Sequence, residues 1–145
     1  MGLSAVSASA TTCGVEPGEE VMGDDGLLRI RERVFTDVVT SDDPRLTGTN
    51  QVTVSLDLDP QSGTGQLTAT FVLTPSEANG AWEGELVGTL NGMILATGLA
   101  RGTGALEGAV AYLAFKQEAS HPTGQPACDN PLAFYAMTGL IQQPS

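Results

Sequence analysis

Positive charge is scarce in this 145-residue chain: Lys and Arg total 6 against 17 Asp and Glu, a formal charge of −11. A surface this acidic repels phosphate backbones and anionic membrane surfaces, so nucleic acid is not an expected partner. No apolar run approaches the roughly 18 residues of a membrane-spanning helix, so no membrane span is expected. The single histidine, His121, would have to support any serine or cysteine triad alone. The two cysteines, Cys13 and Cys128, have neither Cys-x-x-Cys nor zinc-site spacing. Asp42-Asp43 and Asp57-Leu58-Asp59 lack the loop length and terminal Glu of an EF-hand and read as solvated turns. Gly98, Gly102, Gly104 and Gly108 have a superficially phosphate-binding spacing, but no helix N-terminus follows them. No metal and no organic cofactor are expected.

The chain does have enough apolar content for a core, 41% hydrophobic with 16% charged, in a length typical of one domain. Residues 1–10 (MGLSAVSASA) are small and end in a pattern like a signal-peptidase site, without a basic n-region. Residues 1–15 therefore read as a leader remnant or a flexible N-terminal segment, and residues 16–145 as a single β-barrel domain. Cys13 and Cys128 lie near opposite ends in loop-like contexts, and a disulfide joining them fits best. Its competitor is a pair of unlinked thiols in a reducing cytosol. An oxidised pair supports a secreted or periplasmic location, with a cytoplasmic one left open.

Period-2 alternation is clearest over residues 51–59, with Val52, Val54, Leu56 and Leu58 on one face, and over 65–74, with Leu67, Ala69, Phe71 and Leu73. The turn at residues 59–63 makes these a hairpin. Further strands are expected at 27–40, 81–90, 93–100, 105–117 and 132–141, with a short one at 19–22. Asn91-Gly92 is the strongest hairpin signal. No segment has the pattern of a long amphipathic helix. Successive strands of about ten residues with short connections predict an all-β fold, an eight-stranded antiparallel up-and-down barrel, with a β-sandwich as the alternative. The Pro-rich stretch 118–130 is expected to cap a mouth or cross an end.

Chemistry is sought first in residues 27–40. Leu28, Ile30, Val34 and Val38 mark an apolar face with Glu32 in phase, and Arg29, Arg31 and Arg33 alternate onto the other face with Phe35 and Asp37. Barring a bulge between them, either Glu32 or the arginines face the lumen. Glu32 is the favoured inward group, where desolvation would raise its pKa and make it a general acid or base. In the competing reading Glu32 lies near the strand end or pairs with an Arg. Tyr112 and Tyr135 are candidate phenolic hydrogen-bond donors to a reacting molecule. Phe71, Trp82, Leu86, Met93, Phe115, Phe134 and Met137 are candidate ligand-binding residues, with ordinary core packing as the simpler account. Gly84 and Gly88, sharing a face with Trp82, are expected to leave space in a cavity wall. Glu107 reads as a solvated rim carboxylate.

Two stretches carry a family resemblance. Residues 96–115 (ATGLARGTGALEGAVAYLAF) resemble the glycine-punctuated hairpin of the allene oxide cyclase and dirigent barrels. Residues 80–90 (GAWEGELVGTL) resemble the Trp-containing strand before that hairpin in small secreted bacterial barrels. The resemblance implies a calycin-like eight-stranded barrel, often assembled as a homodimer or homotrimer, whose lumen binds an apolar small molecule. It implies a cofactor-independent isomerase or cyclase, or lyase-type chemistry, acting on a lipid-, terpenoid- or polyketide-like molecule. A secreted carrier of a hydrophobic ligand is the alternative, and a solid barrel filled by its own side chains is a third. No catalytic residue can be carried over from the family's motif.

Overall fold

The structure is a computed structural model that describes residues 2–120 and 128–144. Its described residues form nine β-strands and no helix: β1 Leu3–Glu16, β2 Glu19–Met22, β3 Leu28–Ser41, β4 Gly48–Asp59, β5 Thr64–Pro75, β6 Gly80–Asn91, β7 Met93–Gly104, β8 Val110–Glu118 and β9 Ala133–Gln142. Each strand from β3 to β8 pairs antiparallel with the next, β9 pairs with β1, and β1 pairs back onto β3. The sheet is thus a closed eight-stranded up-and-down barrel. The short β2 is hydrogen-bonded only to β3 and stands outside the ring.

The strand that completes the ring is the one the sequence hid. Residues 3–16, expected to be a leader remnant or flexible segment, form β1 and place Val6, Ala10 and Thr12 inside the barrel. Alanine and serine have weak strand propensity, so the alternation of this segment carries little signal. It is held by its two neighbours, β9 and β3, which satisfy both of its backbone edges.

Inward side chains follow the pleat. Val52, Leu67, Ala69, Phe71, Leu73, Trp82, Leu86, Ala96, Ala100, Ala111, Leu113, Phe115, Met137 and Ile141 form one core. One end is packed shut. Leu46 from the β3–β4 loop and Leu106 from the β7–β8 turn, both at this end, are buried members of that core. The Trp82 indole N–H donates to the Arg45 carbonyl at 2.9 Å, fixing the loop as a plug. The glycines at the wall do the reverse of making space. A Cβ on Gly84 would stand 2.4 Å from the Leu99 carbonyl oxygen and 2.8 Å from the Phe71 ring, and one on Gly98 1.8 Å from the Glu85 oxygen. Their missing side chains let β6 and β7 curve inward.

Cys13 and Cys128 are joined, with Cα atoms 6.1 Å apart across 115 positions. The bond agrees with the expected pairing and is compatible with an oxidising compartment. Cys13 lies at an irregularity in β1, between Thr12 and Gly14, where the β3 register shifts. His121 and residues 122–127 of the Pro-rich stretch lie outside the described residues. No described helix is long and apolar enough to cross a membrane.

Candidate functional site

The decisive local feature is a bulge in β3. Ile30 pairs with Leu56 and Arg33 with Val54, so Arg31 and Glu32 together oppose Ser55 alone. Glu32 occupies the left-handed region at φ 54°, the one described non-glycine residue to do so. The extra residue shifts the phase of every side chain beyond it. Ile30, Arg33, Phe35, Asp37 and Val39 therefore take the inner side, and Val34 and Val38 take the outer. Glu32 is exposed, not in the lumen, and the expected acid or base must be corrected.

At the end opposite the plug the lumen opens into a pocket of about 100 Å³. Its walls are almost wholly apolar: Phe35, Val54, Leu56, Leu86, Ile94 and Phe115 are representative. An engineered apolar cavity of roughly 150 Å³ holds benzene, so this pocket suits a fragment of about that size or slightly smaller. Anything larger must extend through the mouth. Four polar residues interrupt the lining: Thr12, Arg33, Asp37 and Tyr135.

Arg33 stands at the mouth. Its guanidinium is paired with Glu20 of β2, and its Nε donates to the Pro17 carbonyl at 3.0 Å, so its charge is already committed. Arg29 and Arg31 remain outside, paired with Asp25 and Asp57 at 2.7 Å each. The predicted arginine row is thereby divided by the bulge.

Asp37 lies deeper, 4% exposed. Thr12, its register partner on β1, donates its hydroxyl to Asp37 Oδ1 at 2.6 Å. Burial pushes the Asp37 carboxyl above the ordinary carboxylate range, and the Thr12 hydrogen bond opposes that rise. Tyr135 on β9 reaches the same pocket. Burial and the Asp37 charge push its phenol up to about 12, so at neutral pH it is an uncharged donor. Asn50, the β4 register partner of Asp37, is fully buried, and neither its Oδ1 nor its Nδ2 has a hydrogen-bond partner among the described residues. Thr12, Asp37 and Asn50 thus form an unbroken polar row across three neighbouring strands.

The other predicted residues separate cleanly. Leu86, Phe115 and Tyr135 line the pocket. Phe71 backs Phe115 edge-on, ring centroids 6.1 Å apart. Trp82 and Met137 are core residues outside the lining. Phe134 is half-buried and alternates to the face opposite Tyr135 and Met137. Met93 is 41% and Tyr112 48% exposed on the outside, so neither can serve a lumenal ligand. Glu107 is exposed in the β7–β8 turn. Asp37 was missed because strict alternation from Ile30 assigns it outward; Asn50 was missed because it precedes the clear alternation of β4. Among the described residues no three His, Cys, Asp or Glu side chains gather as metal ligands. Compared with family models, curated proteins and solved structures, the chain matches none.

An apolar pocket with one buried carboxyl and one phenol can do two things. It can desolvate a small molecule and hold one oxygen of it by hydrogen bonds. It can also move a proton, because a carboxyl with a raised pKa exchanges its proton nearer neutral pH than a solvated one.

Proposed function

We propose that the barrel is a cofactor-independent isomerase or cyclase for a small, mainly apolar molecule held in the lumen, with Asp37 as the proton donor or acceptor. The observation that carries this reading is the isolation of Asp37: nearly inaccessible among apolar walls and, among the described residues, the single carboxyl of the lining and without a cation partner. Burying a carboxyl without a counter-charge costs stability, and such costs concentrate where chemistry uses them. Tyr135 is the second donor, able to stabilise a developing oxyanion beside the pocket. The likeness of residues 96–115 to the allene oxide cyclase and dirigent barrels, and of residues 80–90 to small secreted bacterial barrels of similar type, supports the same class. In those stretches β6 and the β7–β8 hairpin supply Leu86, Ala96 and Phe115 to the pocket wall.

The reading is tested with 3-cyclohexenone, a six-membered unconjugated ketone whose shift of the double bond into conjugation is followed by ultraviolet absorbance. The protein is expected to accelerate the shift above buffer, and Asp37→Asn to lose roughly 10²-fold or more of that acceleration. Saturable binding without acceleration would replace the enzyme by the carrier reading. Glu32→Gln is expected to leave the rate unchanged, since its carboxylate is outside the barrel.

A further inference from the structure

The polar row beside the pocket says which end of a ligand goes in first. Thr12 satisfies one oxygen of Asp37 and no other hydrogen bond to that carboxyl is formed among the described residues. Asn50 is fully buried with both amide atoms unpartnered among the described residues. Asn50 is not in the lining itself but is the cross-strand neighbour of Asp37, which is. Directly opposed residues in an antiparallel pair have Cβ atoms about 5 Å apart, so an oxygen seated past Asp37 comes within reach of both side chains. Tyr135 brings a hydroxyl to the same lining as Asp37 from β9. These groups comprise donors and acceptors, and among the described residues nothing at this depth is a cation: the one lining arginine, Arg33, is held at the mouth by Glu20 and Pro17.

We propose that Asp37, Asn50 and Tyr135 form a recognition site for one neutral oxygen, a ketone or hydroxyl, at the inner end of an otherwise apolar ligand. The ligand enters oxygen first, and its hydrocarbon part lies against Leu56, Leu86, Ile94 and Phe115 toward the mouth. A carboxylate is rejected at this depth, because it would place a second acidic group against Asp37 without a cation to balance it. The walls exclude branched polar molecules such as sugars, whose further hydroxyls would be left without partners. This inference rests on the lumen being a binding site, as proposed above, and adds the class of molecule and its direction.

The test compares three probes of similar size, cyclohexanone, methylcyclohexane and cyclohexanecarboxylate, by titration at pH 7. Binding is read from the backbone amide NMR signals of Ala69 and Ala96, both in the pocket lining. Cyclohexanone is expected to bind at least tenfold more tightly than methylcyclohexane, and the carboxylate not to saturate. Asp37→Leu and Asn50→Leu should each erase the preference for the ketone while methylcyclohexane still binds, which keeps loss of folding apart from loss of recognition. Asp37→Asn, which can still donate and accept, should retain it. Asn50→Leu should also raise Tm, because it removes two unpartnered polar atoms from the interior. Equal binding of ketone and hydrocarbon, or an unchanged preference in Asn50→Leu, overturns the oxygen site and leaves lumenal binding standing. Tightest binding by the carboxylate overturns it in favour of Arg33. If no probe perturbs Ala69 or Ala96, lumenal binding and the oxygen site fail together.

Discussion

Asp37 makes the barrel less stable at the pH where its charge would be useful. Its folded pKa lies above the unfolded one because burial outweighs the Thr12 hydrogen bond. From about pH 4, the ordinary carboxylate value, up to the raised value, the folded state keeps a proton that the unfolded chain releases. Stability therefore falls as pH rises through that window and is level above it. Asp25 and Asp43 run the other way: the Arg29 and Arg45 guanidinium groups hold them below the ordinary range, so what they contribute is lost as pH falls. Measuring Tm against pH for the protein and for Asp37→Asn isolates the buried carboxyl, since both share the other two. The variant's Tm should gain on the parent's as pH rises; parallel curves would place the Asp37 pKa at its ordinary value. At Glu32 the backbone decides. A left-handed residue with a Cβ is strained, so Glu32→Gly should stabilise by about 0.5–1 kcal/mol in urea unfolding, net of the entropy glycine loses on folding.

Among the elements, β3 gives the barrel its site and β6–β7 give it its shape. The two-for-one pairing at Arg31 and Glu32 turns Phe35 and Asp37 inward. Without it the outer face of β3 would carry Asp37, and Val34 and Val38 would fill the lumen. Deleting Glu32 leaves Arg31 alone opposite Ser55, with the Ile30–Leu56 and Arg33–Val54 pairs unchanged. Because the pairing with β1 begins beyond the bulge, at Val34, the deletion is expected to keep Phe35 and Asp37 inward and the fold intact, checked by far-ultraviolet circular dichroism and Tm. On β7, Gly98→Ala would drive a methyl to 1.8 Å from a backbone oxygen that cannot rotate away. It is expected to cost roughly 1–3 kcal/mol or more, as overpacking does, measured as a lowered midpoint in denaturant. A neutral result would mean that the two strands separate easily there.

For the whole molecule, closure and the disulfide act on the same two ends. β1 reaches the sheet from the N-terminus and β9 from the C-terminus, and their pairing closes the ring. The bond from Cys13 to Cys128 spans 115 positions, a long loop to close in the unfolded chain. Cys13→Ser together with Cys128→Ser is expected to cost about 2–4 kcal/mol of equilibrium stability, the typical worth of a native disulfide and somewhat less than chain entropy alone gives for so long a loop. Far-ultraviolet circular dichroism of the variant at low denaturant should stay that of the native sheet, since β1 keeps both of its paired neighbours. Loss of the sheet signal without denaturant would show that pairing alone cannot hold the N-terminal strand.

The sequence by itself determined the class of fold and most of the strands, and it favoured a bond between Cys13 and Cys128 over unlinked thiols. Alternating apolar residues over β4 and β5, turn residues between them and Asn91-Gly92 before β7 are local signals, and a strand needs only local signals to be recognised. It also put Leu86, Phe115 and Tyr135 among the candidates that line the pocket. Tertiary structure decided the rest. The small residues of β1 carry no strong pattern and become a strand by closing a ring whose other seven strands already exist. The phase of β3 turns on one residue whose backbone conformation is set by its neighbours, and with it the choice between Glu32 and Asp37. Thr12, Asp37 and Asn50 are far apart in the chain and polar, so each taken alone reads as surface; only the register of three strands makes them one buried row.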